Sequence, residues 1–339
     1  MTCRQLDYRE IIHLLLVLLC LLAGCTNKTQ ETTKWSEDTR IVSCDTISDY
    51  PYLFVSNLFF KNGSLLIINP RNAGEIRILD IQTGQMTYYS MADSLNGINP
   101  ALFPLSFYHF QTGRYYHYRM ENDRLNLSDQ NLRFRGETVN MAVQLNKNKY
   151  VTLGFFRRLL GVYDTKSKKM NYYGHYPLLV QIPFERKAKD QIVQYFQGKI
   201  TYSEKHSKIV YCSDRFAYMA CYKFTGGKLK FQWENHIVPP PTFRIVNGAL
   251  EYDRTVTQGG FSDITTAGDY IFASYSQSNI TDSIPAGISK ILVYSLNGDH
   301  IATYPIDYIL SAMVVDLEEK SIYGISYRND PVIIRFRFE

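Results

Sequence analysis

One short pattern recurs six times along this chain: a strand of alternating apolar residues, a tight polar turn, and a second strand. The first strands of the copies fall at residues 76–80, 116–119, 161–164, 221–223, 292–295 and 334–337. The residues just ahead of the turns are 80, 119, 164, 223, 295 and 337, which gives intervals of 39, 45, 59, 72 and 42. The shorter intervals match one four-stranded blade, a unit that cannot bury its apolar face alone and must stack on a neighbour. The pattern predicts an all-β fold, a six-bladed β-propeller spanning residues 39–339. The 27 Tyr and 19 Phe fit strands, and Gly, Asn and Asp mark the turns. Asp80 and Asp164 are placed to cap their turns. The region 185–196 reads as a short inserted helix whose second half fits a strand equally well.

The sixth copy ends at Glu339, a third strand with no fourth behind it. Residues 39–46 have strand character and no other blade to join. They are expected to pair with 332–338 as the outer strand of blade six, closing the ring and hiding two sheet edges.

The N-terminus reads as a targeting segment. Arg4 and Arg9 precede a mostly apolar run over 11–22, too short for a membrane-spanning helix. The run ends in Leu22-Ala23-Gly24-Cys25, which resembles the lipobox of bacterial lipoproteins. That resemblance implies a signal peptide over 1–24, removal before Cys25, and a lipid on the Cys25 thiol. Residues 25–38 then read as the lipidated cysteine and a polar tether. Cys44, Cys212 and Cys221 remain in the mature chain; Cys212 and Cys221 are read either as buried thiols or as a bridge across one hairpin. The formal charge of +5 is mild for this length and argues against a nucleic-acid partner.

A lipobox, a tether and six degenerate blades resemble the TolB-like six-bladed propeller lipoproteins of Bacteroides and its relatives. Cys25, the blade count and hairpins such as the one across 197–210 carry the resemblance. Glu204-Lys205-His206-Ser207 departs from the family's Pro-Asp-Gly-Lys turn. The resemblance implies a protein of the Gram-negative cell envelope, lipid-anchored at the outer membrane.

Catalytic signatures are missing: there is no Gly-x-Ser-x-Gly, no His-Glu-x-x-His, no Walker loop and no zinc-ligand spacing. No cofactor is called for. With strands A to D in each blade, the B–C loops share one face of a propeller, and here they carry Arg71, Arg114, Arg157, Arg158, Arg215 and Arg328. Aromatic residues accompany them, including Tyr275 in the long loop of blade five and Tyr327. Trp233, ahead of a triple proline, is read as a wall over the same face. Guanidinium forks beside rings suit carboxylate or sulfate groups. The expected function is a non-catalytic binding or scaffolding propeller for a glycan, peptide or envelope protein. The alternative is a lactonase-like or glycosidase-like hydrolase or lyase using Asp263, Glu251 and Asp253 as metal ligands or paired carboxylates.

Overall fold

The computed structural model describes residues 43–49, 55, 57–69, 71–90, 100–121, 124–129, 134, 138–177, 186–237, 243–247, 249–252, 259–276, 289–326 and 331–338. All belong to the compact unit 35–339. Blade one is the meander β2 (Asn57–Lys61), β3 (Ser64–Ile68), β4 (Glu75–Asp80) and β5 (Met86–Ser90). Blade two shows three strands among the described residues, β6 (Leu105–His109), β7 (Arg114–Glu121) and β8 (Arg124–Asp129). Blade three is β9 (Val139–Asn146), β10 (Lys149–Gly154), β11 (Leu160–Asp164) and β12 (Lys169–Tyr173). Blade four is β13 (Gly198–Ser203), β14 (Lys208–Ser213), β15 (Tyr218–Thr225) and β16 (Lys228–His236). Blade five is β19 (Phe261–Ala267), β20 (Tyr270–Ser276), β21 (Ser289–Ser295) and β22 (His300–Ile306).

Blade six is built from both ends of the described chain. β23 (Leu310–Asp316), β24 (Ser321–Ser326) and β25 (Val332–Arg337) are completed by β1 (Ser43–Asp49), antiparallel to β25. The register runs from Ser43 opposite Arg337 to Asp49 opposite Val332. The expected closure is present, with the strand set at 43–49; residues 39–42 of the expected segment lie outside the described residues. Within β1, Ile47 packs on the cluster of Leu65, Ile67, Tyr323 and Ile333 between blades six and one.

The innermost strands of the blades other than blade two enclose the propeller axis: β9 packs on β13, β13 on β19, β19 on β23, and β23 on β2. Blade two meets β2 and β9 through β6, its second strand. Second strands such as β10, β14 and β24 are almost wholly buried, because neighbouring blades cover both of their faces. Asp80 accepts from the Thr83 amide (2.8 Å), and Asp164 from the Lys166 and Ser167 amides (2.9 and 3.2 Å), so both carboxylates cap their turns.

Two insertions depart from the repeat. The region read as helix or strand is helix α1 (Arg186–Tyr195), between blades three and four. The hairpin β17 (Phe243–Val246) and β18 (Ala249–Tyr252) lies between blades four and five. Helix and hairpin meet in an aromatic cluster of Tyr195, Phe196, Phe216, Phe243 and Tyr252. Cys212 and Cys221 are free and buried. Cys212 faces Met219 and Cys221 faces Val210, an offset of register that removes the bridge from the two readings.

Candidate functional site

The upper face of the propeller carries the B–C loops and the approaches to the innermost strands; the A–B and C–D turns form the lower face. On the upper face, blades two and three part to leave an open cavity of about 530 Å³. Tyr108, Phe110, Gln111, Thr112, Gly113 and Arg114 line it from blade two, and Phe134, Thr138 and Val139 line it from the approach to blade three. The turn 110–113 is fixed by the Gly113 amide, which donates to the carbonyls of His109 and Phe110 (3.0 and 3.1 Å). Gly113 has φ +63°, a left-handed conformation that glycine adopts without steric cost.

Blade three is drawn close on the other side. The Tyr108 hydroxyl donates to the Val139 carbonyl (2.8 Å), and the Phe155 amide donates to the Thr138 carbonyl (2.9 Å). Phe110 is 61% exposed and Phe155 42% exposed, so two rings stand in solvent on successive B–C loops. An exposed ring beside a guanidinium and several hydroxyl and amide groups is what a planar or sugar-like anionic ligand requires.

Elsewhere on this face, Arg157, Arg158 and Arg215 have side-chain partners. Arg71 lies exposed in the loop of blade one, its amide donating to Asn69 (2.8 Å). The Arg157 guanidinium lies over the Tyr172 ring at 5.4 Å, and Arg215 over Tyr195 of α1 at 5.7 Å. Arg158 reaches the His175 ring (3.1 Å). Tyr327 and Arg328 lie outside the described residues.

Two sequence expectations need correcting. Tyr275 is not on the loop of blade five: β20 runs on through Ser276, and Tyr275 is fully buried beside Phe261. The strand runs three residues into the loop expected from 274, held in register with β21 through Ser276. Trp233 belongs to β16, the outer strand of blade four, and its indole N–H donates to the Leu296 carbonyl (3.1 Å) in the lower turn of blade five. The ring packs on Gly298, where any side chain would collide with it. Trp233 therefore fastens two blades together and does not overhang the upper face.

At the axis, Asp263 on β19 accepts from the Met313 amide of β23 (2.6 Å), so a carboxylate satisfies a backbone donor on the next blade. One blade pair away, Met141 sulfur receives the Ile200 amide in the same way (3.4 Å). Lys199 occupies that rung in blade four. Burial pushes the Asp263 carboxyl up, against the pull of the Lys199 ammonium and of the Met313 and Ile264 amides. Water reaches Asp214, in the adjoining B–C loop, yet protein encloses it on most sides. That partial desolvation pushes it up to about 6, against Arg215 and Lys199.

The acid set of the hydrolase reading is not assembled among the described residues. Glu251 sits on the inserted hairpin, 3.8 Å from Arg244, while Asp263 is on the axis and Asp253 lies outside the described residues. No group of three His, Cys, Asp or Glu side chains placed to hold a metal occurs among the described residues. The groove residues Tyr108, Phe110, Phe134 and Thr138, and the axial Lys199 and Asp214, were not singled out from the sequence. Phe110 carried a usable signal, an aromatic residue at the same loop position as Phe155; Phe134 lies in a stretch with no repeat.

No protein-family model and no curated protein matches the chain. Among solved structures, the chain is similar to a luciferin-regenerating enzyme at 9% identity and a TM-score of 0.49, over 88% of this chain and 95% of that one. It is similar to an auxiliary nutrient binding protein from Bacteroides thetaiotaomicron at 8% identity and a TM-score of 0.46, over 85% and 70%. BamB from Moraxella catarrhalis is similar at 13% identity and a TM-score of 0.37, over 83% and 69%. At these values the likenesses carry no argument about function, and the six-bladed fold rests on the strand order and register above.

Proposed function

We propose that this chain is a lipid-anchored envelope protein, held through Cys25, whose propeller is a non-catalytic binding module for a carboxylate-bearing glycan or peptide. The observation that carries the reading is the groove between blades two and three, which Arg114, the exposed Phe110 ring and the polar Gln111, Thr112 and Thr138 line together. Its volume of about 530 Å³ falls within the range of small-ligand sites. The ligand carboxylate would take the Arg114 fork, the ring of a sugar or side chain would stack on Phe110, and the hydroxyls would fix orientation. Arg157 and Arg158 on the next loop would extend the basic rim along a longer ligand.

Oligogalacturonate, with neutral oligogalactan as the control, is a suitable probe. Binding to the acidic oligomer alone, lost at least tenfold in Arg114→Ala and Phe110→Ala, is expected from the size of charge-assisted and stacking contacts. Equal binding of both probes, or variants that bind like the parent, would sink the reading. Anchoring is tested separately: Cys25→Ala should abolish labelling by radioactive palmitate in a Gram-negative host.

A further inference from the structure

The lower face is electrically divided, and the division falls between blades. Blades three and four present eight exposed lysines there, Lys147, Lys166, Lys168, Lys169, Lys205, Lys223, Lys228 and Lys230, against one exposed acid, Glu204. Among the described residues only Lys205 of this set has an ion pair, with Asp269 of blade five. The register adds a second, independent observation. Lys208, Lys223 and Lys230 stand directly opposite one another across β14, β15 and β16. Like charges in facing positions destabilise a sheet, and Lys208 is accommodated only by donating to Leu296 and Asn297 (2.8 and 3.0 Å). Gly227 brings the turn of blade four against the Lys149 side chain of blade three, itself paired with Asp164 (2.8 Å), so the lysines of the two blades flank one seam. Blades five and six lean the other way: their lower turns carry Asp269, Asp299, Asp316, Glu318 and Glu319 against Lys320 and Arg337.

The chain enters the propeller on this same face. Ser43 opens β1 opposite Arg337, which lies opposite Ser321 just after the lower A–B turn of blade six. Cys25 precedes Ser43 closely enough that the intervening segment spans at most about 60 Å fully extended. We propose that the lysine sector of blades three and four docks on an anionic lipid surface, so that the domain leans on those blades and turns its groove away from the membrane. The proposal rests on the Cys25 anchor for its proximity to lipid. The acidic sector of blades five and six disfavours flat contact, which fixes the tilt. A negatively charged leaflet attracts clustered lysines within a Debye length, and the attraction weakens with salt.

The test uses the full chain with vesicles of phosphatidylcholine alone or of phosphatidylcholine with phosphatidylglycerol, and reads acylation of each lysine amine by mass spectrometry. The eight lysines should react several-fold more slowly on the anionic vesicles, lose that protection at 0.5 M salt, and show none on neutral vesicles. Lys199 and Lys290, at the upper ends of β13 and β21, should react equally throughout. Equal acylation on both vesicle types overturns the proposal. Protection by soluble polyglutamate but not by anionic vesicles overturns it in favour of an acidic protein partner. Intact mass at Cys25 separates the two readings: an unmodified Cys25 with the salt-sensitive footprint overturns the anchor alone, and a lipidated Cys25 without the footprint overturns the patch alone.

Discussion

At the scale of single residues, two positions on the upper face carry sharp expectations. A Cβ at Gly154 would lie 2.1 Å from the Thr138 carbonyl oxygen and 2.9 Å from the Phe156 ring. The first obstacle is backbone and cannot swing aside, so Gly154→Ala must push the wall of the groove away from β10. A loss of about 1–3 kcal/mol is expected in urea unfolding. Asp214 supplies a pH signature. Its carboxyl is held up to about 6 in the fold, above the unfolded value, so the native state binds the extra proton. Stability from this group is therefore greatest below about pH 4, declines as pH rises to about 6, and stays flat above. Asp214→Asn should be the more stable protein at pH 7.5, by on the order of 1 kcal/mol after allowing for solvent screening. That advantage should vanish near pH 4. A variant equally stable at both pH values, relative to the parent, would show that Asp214 does not titrate out of place.

Elements differ in how far they announce themselves in sequence. The paired strands of blades one, three and five were legible because apolar alternation ran into a turn set by Asp80, Asp164 or Ser295, each of which accepts from its own turn amides. The hairpin β17–β18 was hidden, because four-residue strands give too few alternations to register and no other blade repeats it. Trp233 was misplaced for a related reason: the prolines after it drew it into a loop, and a bulge after Phe231 turns it to the face of β16 opposite Leu229 and Phe231. The groove was illegible as a site, since it joins a turn at 110–113 to Phe134 and Thr138 across two blades. The hairpin can be tested as an element. Phe243 is buried against Phe196, Phe216, Tyr195 and Tyr252, so Phe243→Ala should weaken it by about 3–5 kcal/mol. Amide hydrogen exchange should rise over 243–252 while β13 and β14 keep their protection. Faster exchange spread through blade four would instead mean that the hairpin is part of the blade's own core.

Ring closure belongs to the whole molecule, and it is carried by a strand that buries little. Five of the seven β1 side chains are exposed, so its contribution comes from backbone pairing with β25, the Asp45–Arg335 ion pair (3.0 Å) and Ile47 on the blade six/blade one cluster. Without β1, the Ile334 and Phe336 strand becomes an open edge, and blades one and six are joined only by packing. Each lost backbone bond is worth about 1 kcal/mol net, so removing the strand should withdraw roughly 4–6 kcal/mol and lower Tm by about 10 °C. A protein lacking residues 26–49 should show that loss and expose the β25 edge to aggregation. One lacking only 26–36 should melt like the parent, because β1 stays in place. Equal melting temperatures for the two truncations would mean that packing between blades six and one closes the ring unaided. The N-terminal strand would then serve only to bring the chain to the lower face.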